Sequence, residues 1–136
     1  MKKKIYIAGC GGMLGEAFYK QFSGEYEIKC TDKDVNEEWL SFLDFREREA
    51  YIKDVINFNP DYLFHIGAYT DLEYCEENVE DTYLTNTLSV ENAVYIANKL
   101  DIPLLYISTA GIFDGKQDLY DDWDTPNPLG VYARSK

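Results

Sequence analysis

Apolar positions along the chain alternate between two periods, and the alternation predicts an ordered series of strands and helices. Residues 4–8, Lys-Ile-Tyr-Ile-Ala, run into Gly9-Cys10-Gly11-Gly12 and predict a short buried strand. Leu14, Ala17, Phe18 and Phe22 then recur on one helical face, and Ser23-Gly24 marks the stop. Residues 27–31 predict a second strand ending at Asp32, and residues 39–45 contain a short third. Residues 47–58 carry Tyr51, Ile52, Val55 and Ile56 at helical spacing and halt before Pro60. Residues 61–67 predict a fourth strand, apolar on both faces as in a parallel sheet covered by helices. The longest helix is expected over 79–100, with Val79, Tyr83, Asn86, Val90, Ala93, Val94 and Ala97 on one stripe and Asp101-Ile102-Pro103 ending it. Residues 104–108 predict a fifth strand; Asp-Gly, Thr-Pro and Asn-Pro pairs make residues 115–128 a loop.

Strands alternating with helices through parallel crossovers predict an α/β fold, a Rossmann-type doubly wound sheet in the order 3-2-1-4-5. Such sheets bind ligands beyond the carboxyl ends of their strands, where the winding reverses. The distinctive residues fall there: 9–15, Asp32, Asp44, 67–69 and 108–111.

A length of 136 residues suits one domain, and 46% hydrophobic with 28% charged residues suits an ordinary globular core. No apolar run approaches the roughly 20 residues that span a bilayer, and the run after Lys2-Lys3-Lys4 is too short for a signal peptide. Cys10, Cys30 and Cys75 form no CxxC pair, which argues against a disulfide framework or a metal site and fits a reducing cytoplasm. A net charge of −12 repels nucleic acids and anionic membranes, so neither is an expected partner. An anionic ligand must be held by local donors.

Those donors have a place. Gly9, Gly12 and Gly15 form GxxGxxG between the first strand and the first helix. The chain there must turn sharply, approach a pyrophosphate without a Cβ in the way, and pack helix against strand. The helix N-terminus, through Gly11, Gly12, Met13, Leu14 and Gly15, offers free amides and partial positive charge to phosphates. A GxGxxG reading from Gly9 and Gly11 fails because Leu14 stands at its third glycine. Asp32, closing strand two, suits the two hydroxyls of an adenosine ribose and favours NAD(H); Lys33 beside it suits a 2′-phosphate and leaves NADP(H) open. Asp44-Phe45, closing strand three, is a candidate adenine contact.

At the other end, Tyr132 and Lys136 form YxxxK, one helical turn apart and on one face. A free tyrosine titrates near 10, and a nearby lysine cation favours the phenolate, making the pair a general acid or base. Ser108-Thr109, ending strand five, supplies a hydroxyl for a carbonyl being reduced. His65, the one histidine, sits inside strand four and reads as a core residue.

The chain now resembles a known family, the extended short-chain dehydrogenases/reductases, and within them the dTDP-4-dehydrorhamnose reductases. The resemblance runs over essentially the whole chain. It rests on Gly-Cys-Gly-Gly-Met-Leu-Gly (9–15), Gly-Ala-Tyr-Thr (67–70), Asn86, Ile-Ser-Thr-Ala-Gly-Ile-Phe-Asp-Gly (107–115) and residues 128–136. It implies that Thr109, Tyr132 and Lys136 are the catalytic trio. Tyr132 would protonate the C4 oxygen of a nucleotide-linked 4-keto-sugar, and Lys136 would tune the phenol and hold the nicotinamide ribose. Gly67, Ala68 and Tyr69 would lie along the cofactor, NAD(H) or NADP(H).

Phe113-Asp114-Gly115 is closer to the reductases than to the 4-epimerases. Ala110-Gly111 stand where the reductases commonly have Asp-Tyr and the 4,6-dehydratases Asp-Glu, so the sugar stays open. Two other readings also stay open: an NAD-dependent epimerase of the same superfamily, and a non-catalytic regulatory subunit, since one such subunit of methionine adenosyltransferase is similar. The family's chains continue past YxxxK and often pair as homodimers. Residues 1–136 are therefore expected to be an incomplete NAD(P)-binding Rossmann domain, truncated after the fifth strand, without the C-terminal substrate domain and with little turnover of its own.

Overall fold

Five strands carry the architecture in the computed structural model, which describes residues 1–136. They are β1 (Lys4–Ala8), β2 (Glu27–Asp32), β3 (Leu40–Phe42), β4 (Tyr62–His65) and β5 (Leu104–Tyr106). All pairs are parallel, in the order β3-β2-β1-β4-β5, as the alternation predicted. The winding reverses between β1, which pairs with β2 on one side, and β4 on its other side.

Strand side chains alternate between two faces, and each face meets its own helices. Tyr6, Ala8 and Leu63 join Tyr51 and Val55 of α2 (Arg48–Phe58) and Ala93, Ile96 and Ala97 of α5 (Ser89–Leu100) in one core. Ile5, Ile7 and Cys30 face the other way, against Phe18, Tyr19 and Phe22 of α1 (Met13–Phe22). Aromatic rings fill this second layer, with Tyr19 stacked on Trp39 at 4.5 Å between centroids and Phe18 edge-on to Phe64 at 5.6 Å. Helices α2 and α5 both end on a left-handed residue, Asn59 (φ 51°) and Asp101 (φ 53°), with a proline following within two residues.

The segment expected as one long helix is more divided. Residues 72–77 already form a short helix, α3 (Leu72–Glu77), whose first turn is capped by the Asp71 carboxylate accepting from Tyr74 N at 2.8 Å. After Asn78 come α4 (Val79–Tyr83), a π-helical turn (Leu84–Leu88) and α5. In that wide turn Ser89 N donates to Leu84 O, five residues back. Of the expected stripe Asn86, Ala93 and Ala97 are buried, but Val79 and Val94 are 45% and 43% exposed, and Thr82, Thr85, Ser89 and Asn92 are buried beside it. The inward face of the first half is polar, so hydrophobicity did not mark it.

Candidate functional site

A cleft of about 610 Å³ opens along the carboxyl edge of the sheet. Every strand contributes the residues just beyond its end: Gly9 after β1, Asp32 at the end of β2, Asp44 after β3, Gly67 after β4 and Ser108 after β5.

Three glycines shape the first corner, each for a different reason. Gly9 turns the chain at φ +78°, and a Cβ there would lie 2.2 Å from Gly67 Cα, so the ends of β1 and β4 touch backbone to backbone. Its amide and that of Cys10 both donate to Thr31 O at 2.9 Å, tying the loop to β2. A Cβ on Gly15 would lie 2.1 Å from Cys10 O, so only glycine lets α1 start this close to the loop. Gly12 has nothing within 4 Å of its missing Cβ. It is the N-cap of α1 and offers no capping side chain, so the first amides of the helix are left for a ligand.

The part of the cleft beyond β2 and β3 is lined by charged residues. Asp32 accepts from Gly11 N at 2.9 Å and from Asp34 N at 3.0 Å, which fixes its carboxylate at the loop. Asp44 is gripped by Arg46, with Nε and Nη2 donating at 2.9 and 2.6 Å, and the guanidinium holds its carboxyl below the usual range. Arg46 also reaches Asp81 at 3.0 Å, and Lys33 Nζ donates to Tyr69 Oη at 3.1 Å. Phe45, Gly67, Ala68 and Tyr69 continue the wall.

Asn86 holds that wall in place. Buried in the π-helical turn, it accepts from Tyr69 N at 2.7 Å and donates to Tyr69 O at 2.9 Å, pairing with the backbone as a neighbouring strand would. Its Nδ2 also donates to Ser135 Oγ at 3.0 Å. One side chain thus ties the wall to the short helix α6 (Val131–Ser135).

Helix α6 brings Tyr132 and Lys136 to the same cleft, as YxxxK predicted. Lys136 lies 4.5 Å from the Tyr106 ring centroid, and burial pushes its ammonium below the ordinary lysine value. Ser108 lines the cleft, and Thr109 is the next residue. The Thr109 hydroxyl accepts from Gly111 N at 3.1 Å, capping a 3₁₀ turn at Ala110–Ile112. That bond orients the oxygen and leaves its proton free to donate. His65 is a core residue, as its place in the strand suggested. Its Nδ1 meets Tyr51 Oη at 3.1 Å and its Nε2 meets Ser89 Oγ at 3.0 Å, while burial pushes its pKa down to about 3, so it stays neutral.

The cleft suits a dinucleotide. Uncapped helix amides and an open Gly12 face the place for a diphosphate, and the buried Thr85 hydroxyl at the cleft wall has no partner of its own. Sequence reasoning passed over Arg46, Asp81 and Thr85. Arg46 and Asp81 lie 35 positions apart, and Thr85 looked like one more helix residue.

Comparison with known proteins decides the family. The sequence profile of the RmlD substrate binding domain matches residues 2–136. The chain belongs to this family. Among members and relatives, the Xenopus tropicalis methionine adenosyltransferase 2 subunit beta is 30% identical over 98% of the chain and 40% of that protein. A hypothetical dTDP-4-dehydrorhamnose reductase from Sulfolobus tokodaii superposes with a TM-score of 0.92 at 27% identity, over 99% of this chain and 49% of that one. The Bacillus anthracis dTDP-4-dehydrorhamnose reductase, solved in complex with NADP, gives 0.90 at 27% identity, over 99% of this chain and 46% of that one. The chain therefore spans less than half the length of these RmlD-family relatives. The residues matched carry the glycine loop as well as Tyr132 and Lys136.

Proposed function

We propose that the whole protein reduces a nucleotide-linked 4-keto-sugar with NADH or NADPH, and that residues 1–136 form its cofactor-binding domain. One observation carries this reading: Tyr132 and Lys136 share a cleft with the glycine loop and the open N-terminus of α1.

In this reading Gly9, Gly11, Gly12, Met13, Leu14 and Gly15 receive the diphosphate, Asp32 the adenosine ribose, and Asp44-Phe45 the adenine. Gly67, Ala68 and Tyr69 run along the cofactor toward the reacting end. The bound dihydronicotinamide supplies a hydride to the carbonyl carbon. Tyr132 donates its phenolic proton to the carbonyl oxygen, which leaves an alcohol. Thr109 donates a hydrogen bond to the same oxygen, and Lys136 holds the nicotinamide ribose and favours the phenolate that Tyr132 becomes. Asp32 favours NAD(H) over NADP(H), because a carboxylate repels a 2′-phosphate. Lys33 and Arg46 nearby keep the preference modest.

Net consumption of NAD(P)H with a dTDP- or UDP-4-keto-sugar tests this reading. Tyr132→Phe is expected to lower kcat by at least about 10²-fold with cofactor affinity nearly unchanged. Interconversion of epimers without net NAD(P)H consumption would mean an epimerase. The likeness to the methionine adenosyltransferase subunit supports a second reading, a regulatory subunit that binds cofactor and turns nothing over.

A further inference from the structure

Tyr132 is the second residue of helix α6, so where that helix starts sets where the phenol points. Its N-cap is Gly130, in extended backbone at φ −97°, ψ 169°, with no side chain to accept an amide. The capping bond comes instead from far away in sequence. Glu76, at the end of α3, accepts from Val131 N through Oε1 at 2.7 Å. A second observation agrees: a Cβ built on Gly130 would lie 3.0 Å from the same Oε1, so glycine leaves room for the visiting carboxylate.

Glu76 is itself well placed to transmit order. Helix α3 packs Cys75, fully buried, with its Sγ 3.9 Å from Tyr69 O, the cleft-wall residue that Asn86 clamps. A chain of contacts thus runs from the cofactor wall through α3 to the first amide of α6.

We propose that Glu76 is a positioning residue: by accepting from the first amide of α6 across from another helix, it fixes Tyr132 in the cleft. This rests on the reductase reading for its kinetic consequence and on the hydrogen bond alone for its structural one.

The test uses the whole protein and three variants, Glu76→Ala, Glu76→Gln and the double variant Glu76→Ala with Gly130→Asn. Kinetics are followed with NADH and a 4-keto-sugar nucleotide, and exchange of the Val131 amide is followed in parallel. Glu76→Ala is expected to lower kcat about 3- to 10-fold, the scale of a lost N-cap, with the KM for NADH unchanged and Val131 exchange faster by a similar factor. Glu76→Gln keeps an acceptor oxygen and should retain most of kcat. The double variant gives α6 a cap of its own in the space the glutamate vacates and should restore kcat, while Val131 exchange stays fast, because an N-cap side chain reaches the second and third helical amides and not the first. A merely structural role for Glu76 on α3 would not be rescued from position 130.

If Glu76→Ala keeps kcat and Val131 protection within twofold of wild type, the proposal is overturned. It is also overturned if the double variant stays as impaired in kcat as the single one. A wild type without turnover would sink the reductase reading instead, and Val131 protection in the same three variants would then decide the capping.

Discussion

Among the glycines of residues 9–15, Gly12 alone leaves a space that the protein itself does not fill. Methyl groups on Gly9, Gly11 or Gly15 would meet Gly67, Asp32 or Cys10 within 3 Å, so those positions are held by the fold. A methyl on Gly12 meets nothing. Gly12→Ala should therefore melt within a degree or two of wild type yet bind NADH about 10-fold or more weaker, as expected for a methyl forced into a filled site. Thermal melts and fluorescence titration of the same sample check both halves. Equal loss of stability and affinity would mean that Gly12 serves the loop, not a ligand. At this scale the sequence was informative wherever chemistry and spacing coincide in a short window, as in residues 9–15 and 132–136. It was silent on Glu76 and on the link from Arg46 to Asp81, because these partners lie 55 and 35 positions apart and each looks like a solvated charge. Resemblance, not spacing, singled out Thr109, which caps the 3₁₀ turn next to Ser108.

The elements that read well were those whose buried face is apolar. Strand β1 buries Ile5, Tyr6, Ile7 and Ala8, and helix α2 buries Tyr51 and Val55, as periodicity chose, whereas α1 half-buries Phe18 and Phe22 and leaves Leu14 and Ala17 exposed. The segment from Leu72 to Leu100 read less well for a physical reason. Its buried residues before α5 are Cys75, Thr82, Thr85 and Asn86, small or polar side chains that a search for hydrophobic periodicity does not pick out. The π-helical turn breaks the regular register at the place where Asn86 must reach Tyr69 and Ser135. Wide turns of this kind are frequent at functional sites. Asn86→Leu would keep the volume and leave the Tyr69 amide and carbonyl without partners. We expect a loss of about 2–4 kcal/mol in urea unfolding, the scale of a broken buried network. A loss under about 0.5 kcal/mol, which is ordinary for a surface change, would show that the clamp contributes little.

At the scale of the whole molecule, strand order followed from alternation and the handedness of parallel crossovers, and it places every strand's end on one cleft. The net charge of −12 sets up a field that repels anions, and the cleft itself carries carboxylates, Asp32, Asp34 and Asp44, as well as the cations Lys33, Arg46 and Lys136. Held by backbone amides and helix ends, a dinucleotide should bind with only a modest dependence on salt. Relatives about twice as long share this domain and carry different names, a reductase and a subunit of an adenosyltransferase. What they share most directly is the part described here. Titration of the whole protein with NADH and with NADPH, followed by fluorescence, is therefore the most direct measurement. The expected result is saturable binding of at least one of them, one molecule per chain, weakened by Gly12→Ala and unaffected by Tyr132→Phe. No saturable binding of either nucleotide would contradict the assignment of the cleft.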